Sequence, residues 1–335
     1  MLIPLRTLEV ESIVRVMARP DYPKTMREFR EQFSTRQSCM EYLASSRWPE
    51  GVICPHCAHA GGWLKNDRFL YRCGQCKRDT SPTAGTAMHQ SKIPVPEWVW
   101  AAYMVATPTP GLRAKQLQRY LGTSSYTTAW YLLQRFRRAM GNENRTPLRG
   151  MVEADEPLIG GPAKGKKGRG VATGKSKSLV RGMVEVLAYK DARGTAQTRA
   201  GRVRLEGVDH ADEETLRMFL DTNRTPGSTV QTDGWRGYSE TALLEYRPIV
   251  NVQDSPQRAS RVAPHIHRVL SNLKPGLQGT HHGVEPKYLH AYLDDFVFRF
   301  NRRQTPRAAF QTLLGITAAK KPSPMRTLIQ GYATG

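Results

Sequence analysis

Apolar side chains recur along the N-terminal part of this chain at a spacing of three to four residues, which is the period of a helix. This pattern predicts helices at 24–33, 38–43, 97–106, 113–121 and 126–140. A run of aromatic and apolar residues at 63–73 instead fits short strands. The N-terminal part is therefore mainly helical, with one small β segment.

The apolar pattern changes beyond residue 150. Short β-branched or alternating runs predict strands at 179–189, 202–206, 229–232 and 248–252. Helical spacing returns at 211–220, 236–246, 264–273 and 285–302. Strands that come early, with helices after them, indicate an α/β domain in this part of the chain.

Four cysteines stand in two similar pairs, Cys54-Pro-His-Cys57 and Cys73-Gly-Gln-Cys76, separated by 15 residues. Four thiolates at this spacing can close a tetrahedral Zn²⁺ site. Two disulfides or two redox motifs are the alternatives, but a cytosolic chain does not normally keep disulfides, and a redox motif does not recur at this spacing. We therefore expect one structural zinc ion, bound by these four cysteines in a zinc ribbon over residues 49–80.

The helices predicted at 113–121 and 126–140 are separated by a short turn, in which Thr123 or Ser124 can cap the second helix. Two helices joined in this way form the helix-turn-helix pattern of DNA-binding domains. The second helix carries three arginines that we expect to meet phosphates, namely Arg135, Arg137 and Arg138. A plain helical bundle with a solvated basic face is the alternative.

The charge balance indicates a polyanionic partner. The chain has 50 Lys and Arg residues against 29 Asp and Glu residues, a formal net charge of +21. Such an excess favours nucleic acid through counterion release, while a generally basic surface or an anionic membrane patch is the alternative. No apolar run approaches the ~18 residues of a membrane span and no export signal is visible, so we expect a cytoplasmic, nucleoid-associated protein with no membrane partner.

Residues 160–181 form a basic segment that is rich in glycine and contains no acidic residue. Because such a composition cannot bury a core, we expect a flexible loop. Two roles fit it equally: a clamp on a DNA backbone near the reactive site, or a solvated loop. The residues that would contact DNA are Lys164, Lys166, Lys167 and Arg169.

Two aspartates stand where predicted strands end. Asp233 comes directly after the β-branched run 229–232, and Asp155 ends the extended run 151–155 shortly before Pro157. Sheets of α/β proteins place reactive groups at such strand ends. Two aspartates are the minimum that a hard cation such as Mg²⁺ asks of a protein, because water and substrate phosphate can fill the remaining sites.

Taken in order, these motifs resemble those of bacterial insertion-sequence transposases that join an N-terminal zinc ribbon to a DDE-type, RNase H-like catalytic domain. The matching stretches include Arg47-Trp-Pro49, Val152-x-x-Asp-Glu156, Thr232-Asp-Gly-Trp235 and Tyr292-Leu-Asp-Asp-Phe296. The resemblance implies an RNase H-like mixed sheet flanked by helices. It also implies cutting of transposon ends and joining of the 3′-hydroxyl to target DNA with two Mg²⁺ or Mn²⁺ ions, by a homodimer or higher oligomer on double-stranded DNA.

One position departs from the family pattern. The third metal ligand of the family is usually Glu, seven residues before a Lys, and this register places His267 before Lys274, 34 residues after Asp233. Seven residues turn a helix by about 700°, close to two full turns, so both side chains would share a face. We therefore expect Asp155, Asp233 and His267 to hold the ions and Lys274 to contact a phosphate near the scissile bond.

Neutral imidazole can bind a divalent ion, but it suits Mn²⁺ better than Mg²⁺. His265 is a weaker choice for the third ligand, and Pro275 could shift Lys274 off the shared face. Glu156 would point to the opposite side of an extended strand from Asp155, so we assign it no ligand role.

These inferences divide the chain into four regions: a helical lead-in at 1–48, the zinc ribbon at 49–80, a helix-turn-helix DNA-binding domain at 85–148 and the catalytic domain at 149–335. The main alternative is a non-catalytic DNA-binding protein derived from a transposase, in which His267 marks a lost third ligand. A junction- or RNA-cleaving nuclease would share the metal site, but it would not explain two DNA-reading modules ahead of that site.

Overall fold

The computed structural model describes residues 20–65, 68–141, 145–160, 177–208, 213–232, 247–250, 262–280 and 284–331. Its helices are α1 Met26–Gln32, α2 Arg36–Arg47, α3 Val95–Ala106, α4 Ala114–Leu121, α5 Tyr126–Met140, α6 Glu213–Asn223, α7 Pro264–Pro275, α8 Leu289–Asn301, α9 Pro306–Ala319 and α10 Met325–Gln330. Its strands are β1 Gly62–Leu64, β2 Tyr71–Cys73, β3 Asp79–Thr80, β4 Met151–Asp155, β5 Leu158–Gly160, β6 Lys177–Lys190, β7 Ala196–Val208, β8 Thr229–Thr232 and β9 Arg247–Val250. A π-helical turn, Gly276–Thr280, comes after α7, and a 3₁₀ turn, Pro286–Tyr288, leads into α8.

Most of the predicted elements are present. The helix at 126–140 and the strand at 229–232 have the predicted bounds, and α7 begins at Pro264 as the sequence indicates. The structure also contains α9 and α10, two helices that the sequence analysis does not predict. The helix predicted at 236–246 lies outside the described residues.

The residue that caps α5 is Ser125, whose Oγ accepts a hydrogen bond from the Thr128 amide at 3.3 Å. The prediction of Thr123 or Ser124 as the cap was wrong. Gly122 ends α4 in the left-handed conformation, with φ of 62°, and the chain needs two further residues before it turns into α5.

The N-terminal and C-terminal helices share one apolar core. Phe310 of α9 packs against Phe29 of α1 and Tyr103 of α3, with ring centroids 5.6 Å apart in each pair. Leu117 of α4 and Phe136 of α5 are fully buried in the same core. Burial of each such side chain stabilises the fold by about 1.5–3 kcal/mol. The helical core therefore draws on segments from three of the four predicted regions.

The zinc ribbon is a small antiparallel sheet in which β2 lies between β1 and β3. It is attached to α2 through Trp48, whose ring lies 5.2 Å from that of Tyr71, and through Arg47, which donates hydrogen bonds to the carbonyls of Ser81 and Pro82. Among the described helices, none combines the length and the apolar character that crossing a bilayer requires.

The large sheet has the strand order β7–β6–β4–β8–β9, and β5 pairs with β6 beyond the end of β4. The strands β7, β6 and β4 run antiparallel, whereas β4, β8 and β9 run parallel. A mixed sheet flanked by helices and preceded by a zinc ribbon confirms the predicted fold class. Because β4 is central, its carboxyl end lies between strands on both sides.

Side chains of β4 alternate between the two faces of this sheet. Val152 and Ala154 lie in an apolar cluster with residues of α6. Glu153 and Asp155 point to the other face, where they meet α7. The two acidic residues of the central strand therefore face the helix that carries His267.

Candidate functional site

The structure brings together two of the predicted metal ligands, Asp155 and His267. Asp155 is the last residue of β4, and His267 lies at the end of the first turn of α7. The Nδ1 atom of His267 lies 3.4 Å from Oδ2 of Asp155, and the side chains are 28% and 17% exposed, respectively. A carboxylate and an imidazole this close, with access to solvent, can share a divalent cation.

Glu153 attaches α7 to the same strand. Its Oε2 accepts hydrogen bonds from the backbone amides of His265 at 2.7 Å and Ile266 at 2.8 Å. A helix leaves such amides unsatisfied at its N-terminus, and the N-cap residue of α7, Ala263, offers no side-chain acceptor. The carboxylate of Glu153 therefore serves as the cap that the local sequence of α7 lacks.

Glu153 is almost completely buried, and burial raises its pKa, although the two backbone amides oppose that rise. Sequence reasoning missed this residue. The only local signal is its position two residues before Asp155, which places both side chains on one face of an extended strand.

The second ring nitrogen of His267, Nε2, is buried and has no hydrogen-bond partner within the described part of the chain. Nδ1 is the nitrogen that faces Asp155, so an ion shared with that carboxylate would bind to Nδ1 and not to Nε2. The other oxygen of Asp155, Oδ1, accepts a hydrogen bond from the Glu156 amide at 2.8 Å, which orients the carboxylate. One carboxylate and one imidazole nitrogen that faces it fit a divalent ion, and they fit Mn²⁺ better than Mg²⁺.

His265 is directed elsewhere. Its ring is buried, and its Nε2 lies 3.0 Å from Oγ1 of Thr198 on β7. Burial lowers the pKa of His265, and the nearby Arg268 lowers it further. The contact with Thr198 makes His265 part of the packing between α7 and β7.

Lys274 keeps the helical register of His267. The helix α7 continues through Pro275, and Lys274 is exposed near its end. Pro275 lacks the amide that would bond to the Ser271 carbonyl, but the helix still includes Lys274, so the proline does not displace Lys274 from it.

Several predicted site residues lie outside the described part of the chain. One is Asp233, which comes after the last residue of β8, Thr232, in the sequence. The others belong to the basic segment: Lys164, Lys166, Lys167 and Arg169.

The four paired cysteines converge in the zinc ribbon. Sγ of Cys54 lies 3.6 Å from Sγ of Cys76, Sγ of Cys57 lies 3.6 Å from Sγ of Cys73, and all four sulfurs lie within 4.8 Å of one another. All four are free thiols, which excludes the disulfide alternative. A tetrahedral ion with Zn–S bonds of about 2.3 Å needs sulfurs about 3.8 Å apart, so this cluster fits a structural Zn²⁺.

The environment of Cys73 favours the thiolate that zinc requires. Burial opposes ionisation of this thiol, but the backbone amides of Cys76 and Gln75 and the neighbouring thiols outweigh it and lower its pKa to about 6. The Gln75 amide lies 3.4 Å from the Cys73 sulfur. The Cys-x-x-Cys turn thus directs backbone amides toward the ligand sulfur.

Arg137 is a structural residue. Its side chain is 2% exposed, its Nε lies 3.4 Å from Oδ2 of Asp295 on α8, and its guanidinium lies 3.9 Å from the ring centroid of Tyr292. It also donates a hydrogen bond to the Leu112 carbonyl at 3.3 Å. The prediction that Arg137 meets a DNA phosphate was wrong, because the side chain is enclosed between α5 and α8.

Arg135 and Arg138 are half-buried on the same helix. Burial lowers the pKa of Arg135, whose guanidinium lies 6.0 Å from the ring centroid of Trp98. Arg138 lines a small cavity with Tyr288 and Leu328. A contact between either arginine and a phosphate stays a prediction. Because both arginines are half-buried, only part of each side chain would be available for such a contact.

The helix pair α4 and α5 has an exposed basic face, on α4 and at the start of α5. Arg113, Lys115 and Arg119 are exposed there, as is Tyr126, whereas Leu117 points into the core. The rest of α5 is covered by α8, α9 and α10. Sequence reasoning missed this face, although the helical spacing of α4 predicts an exposed side opposite Leu117.

Comparison with known proteins agrees with this architecture. Residues 147–301 match the family model of the ISXO2-like transposase domain, and residues 34–79 match that of the transposase zinc-ribbon domain. A protein described as an uncharacterized protein in transposable element ISH50, from Halobacterium salinarum, is 29% identical in an alignment of 217 residues that covers 62% of this chain and 70% of the relative. No solved structure matches the chain. Since the two domain matches together span more than half of the chain in the predicted order, it belongs to the insertion-sequence transposases that join an N-terminal zinc ribbon to a DDE-type transposase domain.

Proposed function

We propose that the protein is a DDE-type DNA transposase, which cuts DNA at the ends of its element and joins the freed 3′-hydroxyl to target DNA. The observation that carries this proposal is the 3.4 Å approach of Asp155 and His267 at the carboxyl end of the central strand. Family membership supports the class of reaction. The approach of Asp155 and His267 supports the position of a metal ion.

The second aspartate of the proposed site is Asp233. Glu153 lies opposite Gln231 in the parallel pair of β4 and β8. Asp233 follows directly after Thr232, the last residue of β8, as Asp155 ends β4. Neighbouring parallel strands end at one edge of a sheet, which is where ligands bind in α/β folds.

Each residue of the proposed site has a separate task. Asp155, Asp233 and His267 hold the divalent ions, Mg²⁺ or Mn²⁺, and Glu153 holds α7 so that His267 faces Asp155. Lys274, two turns further along α7, contacts a phosphate near the scissile bond. When bound, two such ions activate a water or a 3′-hydroxyl and stabilise the leaving oxygen of an in-line phosphoryl transfer.

DNA binding would involve the zinc ribbon and the exposed basic face around Arg113, Lys115 and Arg119. The net charge of +21 supports association with DNA through counterion release. The basic segment at 160–181 would add contacts to the DNA backbone. Because two element ends must be cut and joined together, the working form would be a homodimer or higher oligomer on DNA in the cytoplasm.

Strand cleavage of DNA that carries the element's own ends tests this function. Asp155→Ala or Asp233→Ala should abolish metal-dependent cleavage while binding of end DNA persists, because removal of negative charge does not weaken phosphate contacts. Asp221→Ala, an exposed aspartate on α6, is the matched control and should cleave like the parent. A parent that binds end DNA but never cuts it with Mg²⁺ or Mn²⁺ would instead support the non-catalytic alternative.

A further inference from the structure

A cavity of about 330 Å³ lies beside β7, between α6 and α8. Three guanidinium groups line it, those of Arg145, Arg181 and Arg204. Arg204 pairs across the strands with Met183, which packs in the apolar cluster against α6. Leu205 and residues of α8 line the cavity from the other face, so it lies at the β7 edge of the sheet, away from Asp155 on the central strand.

Two of the three guanidinium groups already have carboxylate partners. Arg145 forms an ion pair with Asp294, and Arg181 binds Glu206 at 2.8 Å. The third, Arg204, makes no ion pair with any of the described residues. Its Nη1 and Nη2 donate to the backbone carbonyls of Val203 at 3.1 Å and Thr146 at 2.6 Å.

Arg204 is 4% exposed, and its Nε is buried without a hydrogen-bond partner among the described residues. A nearby carboxylate, Glu185, is occupied by Arg202, whose Nε binds it at 2.9 Å. Burial, together with the positive charges of Arg145 and Arg202, lowers the pKa of Arg204 to about 10 although the carboxylate of Glu185 opposes this, so Arg204 still carries its charge at neutral pH. A buried guanidinium that makes no ion pair of its own is unfavourable, and an anionic ligand would offset that cost.

We propose that this cavity binds a phosphate group, whose oxygens accept hydrogen bonds from Arg204, with Arg145 and Arg181 at the sides. The planar fork of arginine suits phosphate geometry, and bonds between ionised partners are the strong ones. The volume lies at the lower end of the range of small-molecule pockets, about 300–1,000 Å³, so the phosphate can carry an attached group. Two sources share this chemistry: free or small-molecule phosphate, and a phosphodiester of bound DNA.

The first arm of the test uses inorganic phosphate with the full-length protein and no added divalent cation. Thermal unfolding in phosphate should show a saturable rise in Tm relative to chloride of equal ionic strength. Arg204→Gln should remove the saturable rise, whereas Arg193→Gln, at an exposed hairpin turn, should keep it. The comparison between variants is needed because phosphate stabilises most proteins weakly and without saturation.

A second variant, Met218→Glu, keeps the test informative if Arg204→Gln does not fold. Met218 is 61% exposed at the wall of the cavity, so Met218→Glu changes a surface position and brings a carboxylate to the guanidinium cluster. It should raise Tm without phosphate and abolish the saturable response to phosphate, since the carboxylate acts as an internal counterion.

The second arm measures binding of end DNA by fluorescence anisotropy over a range of salt concentrations. If DNA supplies the phosphate, Arg204→Gln and Met218→Glu should weaken binding and lower the log–log salt slope by about one, while inorganic phosphate gives no saturable rise. If a small molecule supplies it, the saturable rise appears and DNA binding is unchanged. Both variants matching the parent in both arms would overturn the proposal, and neither arm depends on DNA cleavage.

Discussion

The carboxylate of Glu153 lies 2.8 Å from the backbone amide of Ile266, so the strand that ends in Asp155 also anchors the helix that carries His267. One short strand thus carries one proposed ligand and supports the helix that carries another. Preorganisation of this kind matters because a metal site tolerates only small displacements of its ligands.

Replacing Glu153 tests this support. Glu153→Ala should lower the free energy of unfolding by about 1–3 kcal/mol, because two buried amides lose their acceptor. Glu153→Gln keeps an acceptor oxygen and should retain most of the stability and of the Mn²⁺ affinity. Urea unfolding and Mn²⁺ titration measure the two effects, with the exposed Glu31→Ala as the control. Equal losses in the Ala and Gln variants would mean that the charge matters rather than the helix cap.

Arg137→Ala should act on stability and not on DNA. It removes the buried partner of Asp295, for which we expect a loss of about 3 kcal/mol; this is the lower end of the range for a broken buried pair, since Arg299 still binds Asp295 at 2.7 Å. Denaturant unfolding measures the loss. An unchanged stability together with a shallower salt slope of DNA binding would contradict this structural role and indicate that Arg137 contacts DNA.

Arg119→Ala should weaken binding of end DNA and make its log–log salt slope shallower by about one unit, because one phosphate contact is lost. Arg138→Ala should have the smaller effect, as this arginine is half-buried beside Tyr288. Arg27→Ala, in an exposed position on α1, serves as the control. Salt-dependent anisotropy decides: a slope that changes for Arg138 alone would place the DNA surface on the other side of α5.

Cys54→Ser or Cys76→Ser should release the zinc ion and unfold the ribbon without unfolding the α/β domain, since a structural zinc site contributes folding free energy directly. Cys39→Ser is the matched control, because Cys39 is a buried thiol of α2 outside the cluster. Metal analysis of purified protein, with circular dichroism, gives the result. Parent protein that holds no zinc while all four thiols are free would contradict this account.

Sequence reasoning succeeded where a local pattern carries the information. The cysteines are paired within a few residues, β4 ends at Asp155, and one helix carries both His267 and Lys274. All of these signals are short in range. The roles of Asp155, His267 and Lys274 in catalysis stay predictions.

The contacts that sequence reasoning missed join distant parts of the chain. Glu153 caps a helix 113 residues later, and Arg137 pairs with Asp295 at a separation of 158 residues. An arginine near the end of an amphipathic helix has the same local pattern whether it meets a phosphate or a buried carboxylate. Only the packing of α8 against α5 distinguishes these two environments.

The central claim is that His267 and Asp155 hold the reactive metal ion. Pulsed electron paramagnetic resonance of Mn²⁺ bound to the zinc-loaded protein tests it most directly, because a coordinated imidazole nitrogen modulates the spin echo. We predict nitrogen modulation in the parent and in His265→Gln, its loss in His267→Glu with Mn²⁺ still bound, and weakened Mn²⁺ binding in Asp155→Ala. Bound Mn²⁺ that shows no nitrogen modulation in the parent, or modulation that survives His267→Glu, would contradict the claim.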